Sequence, residues 1–217
     1  MGKLAGLLGA VGFAAALMYG VHDARADDSG AVTHASPLPF RVFVPSVERG
    51  PEPAPYLGPI ASLDIPHAGV SSRWIVEERS TVVQKGISYL QEPTVPDRIS
   101  WYPEFGRPGF RGSNTTFASH VNYVGWGLTP FANLRRVAVD DAVYITMANG
   151  AVYIYTVRSS DIVRVEDLDM GRILSPSLDE HIERVTLISC DGDLYYEPGV
   201  GGEYTSRLIV MAERYIP

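Results

Sequence analysis

The pattern of hydrophobic and polar positions predicts a mainly β domain over residues 56–217. The runs AVYITM at 142–147 and VYIYTV at 152–157 are rich in β-branched and aromatic residues, as strands are. Ala-Asn-Gly separates these two runs, and Asn-Gly is a strong hairpin signal. Further strand-like runs occur at 63–66, 70–76, 185–190 and 208–212. Many short strands with few helices favour a closed or nearly closed β-barrel.

Two other local patterns qualify this picture. Thr129 is a suitable helix cap and Pro130 suits a first turn, so a short helix is predicted from there through Arg135. The strand-like run VTLISC ends at Cys190, and the Asp-Gly-Asp that follows at 191–193 predicts a loop.

The amino-terminal residues differ sharply from this body. Residues 4–21 are apolar and uncharged, and their length is close to the minimum for a membrane-spanning helix. Lys3 precedes the run and Asp23 follows it, which favours a cytoplasmic amino terminus and an extracellular body. We therefore predict a transmembrane anchor within residues 1–26 and a single-pass protein of the cell membrane. In the alternative, cleavage near Ala26 releases a secreted protein, because Ala24-Arg25-Ala26 resembles a signal-peptidase site.

Residues 27–55 are rich in proline and differ from both the apolar amino-terminal run and the body. Six prolines interrupt this stretch, and each removes a backbone donor and restricts the chain. We predict a Pro-rich linker that holds the domain of residues 56–217 away from the membrane.

Charge and cysteine content narrow the classes of function. The formal net charge is −7 and no basic stripe is present, which argues against a nucleic-acid partner. Cys190 is the chain's single cysteine, so an internal disulfide and a multi-cysteine metal site are both excluded. In an exported protein such a cysteine is a candidate reactive thiol. The alternative is a buried and inert side chain, which is common for cysteine.

Three residues have side chains suited to acyl transfer. Cys190 is a candidate nucleophile, because a thiolate attacks carbonyl carbon readily. His120 ends the polar segment SNTTFASH and is a candidate acid and base. Arg207 opens the run RLIVMA, and its permanent charge and fork of donors suit a developing oxyanion. If the last two strands are neighbours, Cys190 and Arg207 lie at the same rim.

Five segments, in order, resemble the sortase family. Residues 63–70 (LDIPHAGV) resemble its opening strand, and residues 108–120 resemble the approach to its catalytic histidine. Residues 131–143 resemble its F-x-x-L and G-D-x-V stretch, with Asp140 in place of the glycine. Residues 186–190 (TLISC) resemble its T-L-x-T-C signature, and residues 207–210 resemble the strand bearing its catalytic arginine. The ordered set covers most of the predicted domain.

The resemblance implies an eight-stranded sortase-type β-barrel and a cysteine transpeptidase. We predict no cofactor. The resemblance also implies that Cys190 cleaves an LPxTG-like sorting motif of exported proteins between Thr and Gly through a thioester. His120 would be the acid and base, and Arg207 would stabilise the oxyanion. An amine acceptor, such as a peptidoglycan cross-bridge or a pilin lysine, would receive the acyl group. The segments around Trp101 and Trp126 resemble actinobacterial sortases of class E or F.

Several alternatives stay open at this point. Water in place of the amine would make the chain a hydrolase using the same cysteine. An inert Cys190 would leave a non-catalytic exported β-barrel that binds a partner. His181 lies in the polar stretch SLDEHIER and is the rival base. Asp191 and Asp193 are weak evidence for a cation site, and we predict no metal.

Overall fold

The computed structural model describes residues 54–84, 87–197 and 201–216. Within them the strands are β1 (Ile60–Asp64), β2 (Ile75–Glu78), β3 (Thr81–Gln84), β4 (Ile87–Leu90), β5 (Arg98–Tyr102), β6 (Asn114–Ala118), β7 (Ala142–Met147), β8 (Val152–Arg164), β9 (Ile182–Glu197) and β10 (Gly201–Tyr215). A one-turn helix, α1 (Met170–Leu174), and 3-10 segments at Pro66–Ala68, Leu134–Arg136 and Val165–Asp167 complete the described chain.

The predicted anchor at 1–26 and nearly all of the predicted linker at 27–55 lie outside the described residues. Among the described helices, none has the length and apolar character needed to cross a bilayer.

Eight strands form one sheet in the order β1-β7-β8-β10-β9-β6-β5-β2. The pairs β2–β5 and β6–β9 are parallel, and the other pairs in this sheet are antiparallel. The two terminal strands, β1 and β2, contact each other, so the sheet curls into a nearly closed barrel. The hairpin β3–β4 stands apart as a second, two-stranded sheet. The predicted eight-stranded barrel is therefore confirmed.

The barrel interior follows from side-chain alternation along the strands. Every second residue of β7 and of the first half of β8 is buried, as the twofold period of a strand requires. Across the sheet, β9 and β10 direct Leu187, Leu208 and Val210 into the same core. The predicted hairpin is also confirmed, since β7 and β8 pair around Gly150 with a positive φ of 87°.

A second apolar cluster lies on the outer face of the same strands. Ile188 of β9 and Ile209 of β10 are buried there against Ile173 and Leu174 of α1. This cluster explains why β9 and β10 read as continuous apolar runs, because both of their faces are covered. The connection from β8 to β9, which contains α1, therefore forms a wall on the outer face of the barrel.

Asn114 of β6 fixes that wall to the sheet. Its side-chain amide donates to the carbonyls of Ile173 and Leu174, both at 3.0 Å, at the carboxyl end of α1. Its carbonyl oxygen accepts from the hydroxyl of Thr186 in β9 at 2.8 Å. A buried asparagine with its hydrogen bonds made in this way holds the helix end in one position.

Three local predictions were wrong. The strand-like run at 70–76 is mostly turn, with an isolated bridge at Val70 and a strand that begins only at Ile75. The predicted loop at 191–193 is part of β9, which continues to Glu197 and pairs with an extended β10 that begins at Gly201. The strand crosses this polar stretch through a β-bulge, where Gly192 has a φ of 85°. Glycine tolerates this conformation, which is why turn-like residues stand inside a strand here.

The predicted helix from Thr129 is a series of turns that ends in the 3-10 helix Leu134–Arg136. Phe131, Leu134 and Val137 are all buried at a spacing of three residues. Three residues per turn place them on one face, and bonds such as Leu134 N–H to Phe131 O at 3.0 Å hold that geometry. Burial at this spacing favours 3-10 geometry over the α-helix that the cap residues predict.

Candidate active site

The register of the last two strands places Cys190 directly opposite Arg207. Partners in an antiparallel pair project to the same face, with Cβ atoms about 4.5–5.5 Å apart. Ile188 and Ile209 project to that face as well, so the thiol and the guanidinium lie on the outer face near the wall formed by α1. The sequence prediction that these two residues share a rim is thus realised by strand pairing.

The parallel pair β6–β9 brings His120 to the same place. Its last paired residues are Ala118 and Ile188, and the Ser119 N–H donates to the Ile188 carbonyl at 3.3 Å. His120 and Cys190 each lie two residues beyond that pair. Because parallel strands advance together, both residues emerge at one edge of the sheet. The structure therefore gathers all three predicted site residues at one rim of the barrel.

Burial controls the charge state of the thiol. Cys190 is half-buried, and this burial raises the pKa of its thiol, because a thiolate is poorly solvated there. Arg207 opposes the shift, while the carboxylates of Glu203, Glu92 and Asp191 add to it. At neutral pH the neutral thiol is therefore the dominant form.

The imidazole of His120 is shifted in the opposite direction. Burial lowers the pKa of His120, and the exposed Glu92 carboxylate partly opposes that shift. Its ring packs edge-on against Tyr123 with ring centres 5.1 Å apart, and its carbonyl accepts from the Phe131 N–H at 3.2 Å. The histidine is thus held on two sides and is mostly neutral at pH 7, ready to accept a proton.

Backbone carbonyls orient Arg207. One terminal nitrogen donates to the carbonyls of Tyr204 and Ser206, both at 3.0 Å, and the other lies 3.5 Å from the Glu203 carboxylate. Tyr204 also accepts from the side-chain amide of Asn122 at 2.6 Å, through its hydroxyl. Asn122 follows His120 by two residues, so this hydrogen bond connects the histidine loop to the strand that carries the arginine.

An apolar groove lies on the same outer face of the barrel. A cavity of about 330 Å³ opens between the β3–β4 hairpin and α1, and its lining includes Leu90, Phe105, Met170 and Leu174. Leu90, Phe105 and Met170 also pack against the outer-face cluster that contains Ile188, two residues before Cys190. An extended chain lying along this face would place apolar side chains near the wall and a peptide bond near the thiol.

The rival base His181 lies at the far end of β9. It precedes Ile182, where β9 begins, and lies nine positions before Cys190, roughly 30 Å at the usual rise per residue. One ring nitrogen lies 2.9 Å from the Ile216 carbonyl and its ring stacks on Tyr215. This placement gives His181 a structural role at the opposite end of the barrel.

Among the described residues, no group of three or more His, Cys, Asp or Glu side chains is arranged to hold a metal ion. Of the two aspartates flagged in the sequence, Asp191 is engaged instead with Arg135, whose Nε donates to Oδ2 at 2.8 Å.

Three contributors to the site escaped the sequence reasoning. They are Arg135, which pairs with Asp191, the Asn122–Tyr204 hydrogen bond, and Glu92, whose charge acts on both His120 and Cys190. Each joins residues far apart in the chain, 56 positions in the first case and 82 in the second. No periodicity or local motif signals a contact of that kind.

The family to which this fold and site belong follows from comparison with known proteins. A family model for the sortase domain matches residues 63–215, which is more than half of the chain. The chain therefore belongs to the sortase family, whose members are cysteine transpeptidases. No curated protein matches the chain.

Several solved sortase structures are similar to the chain at low identity. Sortase A from Corynebacterium diphtheriae is 23% identical over 58% of this chain and 52% of that chain, with a TM-score of 0.43. The SrtA sortase from Actinomyces oris is 20% identical over 76% and 84%, with a TM-score of 0.49. A Clostridium perfringens Sortase D5 transpeptidase is 18% identical over 73% and 79%, with a TM-score of 0.48. The chain thus spans about half of the Corynebacterium protein's length.

Proposed function

We propose that this chain is a transpeptidase that cuts an LPxTG-like sorting motif between Thr and Gly and joins the new acyl end to an amine. Membership in the sortase family supports the reaction class. The observation that carries the assignment of residues is the pairing of Cys190 with Arg207 across β9 and β10, with His120 emerging beside them from β6. The precise motif and the class E or F resemblance remain predictions.

In the first half of the reaction, Cys190 is the nucleophile. His120 accepts the thiol proton, and the sulfur attacks the threonine carbonyl carbon. Arg207 donates to the oxygen that gains negative charge, which stabilises the tetrahedral intermediate. The C–N bond to glycine then breaks, His120 returns the proton to the leaving amine, and a thioester on Cys190 remains.

In the second half, an amine resolves the thioester. His120 takes a proton from the incoming amine, whose nitrogen attacks the thioester carbonyl. The C–S bond breaks, and Cys190 leaves as a thiolate that recovers its proton from His120. The acceptor is the amine of a peptidoglycan cross-bridge or a pilin lysine. Hydrolysis would be the same sequence with water in place of the amine.

The opposite pKa shifts define the resting state of this pair. Burial favours the neutral thiol of Cys190 and the neutral imidazole of His120. Attack therefore requires a proton transfer between two neutral groups, after which the thiolate and imidazolium form an ion pair beside Arg207. At neutral pH only a minor fraction of the protein carries this reactive ion pair. The low thiolate fraction protects an exported thiol from oxidation.

The groove beside α1 suits the apolar part of a sorting motif. Its lining of Leu90, Phe105 and Met170 offers apolar contact, and the wall is held in place by Asn114. A peptide with leucine and proline at its start can bury those side chains there, while its Thr-Gly bond reaches Cys190. We also propose that residues 1–26 anchor the enzyme in the cell membrane with its catalytic domain outside, where such substrates arrive.

The direct test is a peptide panel. The full chain and its Cys190→Ala variant are incubated with LPxTG-like peptides that differ at each position, together with an added amine, and products are followed by mass spectrometry. We expect a thioester adduct on Cys190 and an amine-linked product that are both absent from the variant. An adduct with only hydrolysed product would favour a hydrolase. No adduct with any peptide, together with a thiol that resists alkylation in the folded protein, would favour a non-catalytic β-barrel that binds a partner.

A further inference from the structure

A carboxylate lies directly behind the proposed nucleophile. Asp191 follows Cys190 in β9, so its side chain projects to the opposite face of the strand. There it pairs across the sheet with Ser206, and only 5% of the Asp191 side chain is exposed. A buried charge of this kind is unfavourable without a partner, and beside a thiol it also disfavours the thiolate.

Arg135 supplies that partner through a bidentate contact. Its Nε donates to one carboxylate oxygen at 2.8 Å, and a terminal nitrogen donates to the other. Hydrogen bonds from Arg135 are the main cause that lowers the pKa of Asp191, so the aspartate is ionised at neutral pH. The charge behind Cys190 is therefore permanent, and its effect on the thiol depends on Arg135.

The segment that carries Arg135 also holds the histidine. Residues 131–135 begin with the Phe131 N–H that donates to the His120 carbonyl at 3.2 Å, and Phe131 and Leu134 are fully buried in the core. Arg135, which makes the ion pair to Asp191, lies four positions after Phe131. This one segment therefore contacts His120 itself through the backbone and Asp191, the residue after Cys190, through an ion pair.

The Asp191 carboxylate also shapes the strand beyond the nucleophile. It accepts from the Gly192 N–H within the β-bulge, and the following Asp193 N–H donates to the Thr205 hydroxyl at 2.9 Å. A Cβ added at Gly192 would lie 2.5 Å from that hydroxyl, so the bulge is tightly enclosed. The pair next to the bulge is Asp191 with Ser206, and Cys190 with Arg207 is the following pair.

We propose that Arg135 is a positioning residue that keeps Cys190 reactive, by compensating the charge of Asp191 and holding the bulge that follows the thiol. The inference rests on the proposed function in taking Cys190 as the nucleophile. The charged groups that act on this thiol are Arg207 and Glu203 on β10, Glu92 after β4 and Asp191 on β9. The titratable His120 emerges beside it from β6. Arg135 acts on it through Asp191.

The test measures the rate at which iodoacetamide alkylates Cys190 in the full chain, from about pH 6 to about pH 10. Because the chain has one cysteine, intact mass reports this single thiol. Arg135→Met should lower the rate at neutral pH by about three- to tenfold and move the midpoint of the profile to higher pH. Adding Asp191→Asn to Arg135→Met should return the midpoint to that of the native chain or below it.

Arg136→Met is the matched control, because it removes the same charge from the neighbouring exposed position of the same 3-10 helix. Arg135→Lys should fall between the native chain and Arg135→Met, and it serves as the test if the methionine variant does not fold. Profiles of folded Arg135 variants that coincide with that of Arg136→Met would overturn the proposal. Since alkylation needs no peptide, a shifted profile without peptide turnover would refute the proposed function alone, and turnover with an unshifted profile would refute this inference alone.

Discussion

Among the facing pairs of β9 and β10 that contain an arginine, two lie seven positions apart and differ in their surroundings. Near one end Glu183 faces Arg214, and near the other Cys190 faces Arg207. At the first pair, Nε and a terminal nitrogen of Arg214 donate to the glutamate at 2.6 and 3.0 Å, with side-chain exposures of 12% and 1%. At the second, both residues are only half-buried and the arginine is oriented by main-chain carbonyls.

The face of the sheet explains the difference. Glu183 and Arg214 project into the barrel, where Tyr155 adds a hydroxyl donor at 2.9 Å and Gly109 adds a backbone N–H at 3.3 Å. Burial raises the pKa of Tyr155, so it stays a phenol and keeps donating. Cys190 and Arg207 project outward at the rim. A satisfied buried pair favours one packing of the core, whereas the partly covered pair leaves its thiol accessible, as the proposed function requires.

The largest effect is expected from Arg214→Met. It leaves the Glu183 carboxylate buried without its principal cation, which should lower the free energy of unfolding by about 3–5 kcal/mol. Chemical denaturation monitored by circular dichroism measures this loss. Arg158→Met, at an exposed arginine 3.8 Å from Asp140, should change stability by less than about 0.5 kcal/mol. Equal losses in the two variants would remove the distinction between the buried pair and a surface pair.

Arg207→Ala should show the opposite pattern, with a large loss of activity and little loss of stability. Under the proposed function Arg207 donates to the oxyanion, so kcat/KM for a turned-over peptide should fall by about 10²–10³, with little change in the free energy of unfolding. Loss of the nearby cation also raises the pKa of the Cys190 thiol further, so the alkylation profile should move to higher pH. If Arg207→Ala loses as much stability as Arg214→Met and keeps its activity, then Arg207 has a structural role and no catalytic one.

The smallest effect is expected from Glu203→Gln. The Glu203 carboxylate raises the pKa of the thiol, so its removal should lower that pKa and increase the thiolate fraction. Alkylation at neutral pH should accelerate by about twofold, and the gain should shrink as salt screens the charge. Glu166→Gln, at an exposed position paired with Arg164, is the control with the same change of charge. A slower reaction in Glu203→Gln would show that its contact with Arg207 matters more than its field.

Much of the barrel was predictable from local patterns. The alternation in 142–147 and 152–157 and the Asn-Gly between them led to the observed hairpin, because register and turn chemistry act over a few residues. The apolar runs at 185–190 and 208–212 marked the two central strands but not their length. Their extension to Glu197 and from Gly201 depends on cross-strand pairing, which local propensity does not contain.

The sequence by itself determined the chemistry available to this protein. It supplies a single cysteine, a histidine and an arginine in segments that resemble the sortase family, and the match to the sortase domain confirms the family. Tertiary structure decided which groups meet: Cys190 with Arg207 through strand register, and Asp191 with Arg135 through a 3-10 helix packed on the core. It also decided the opposite pKa shifts of Cys190 and His120, because burial and distant charges set them and neither is a property of local sequence.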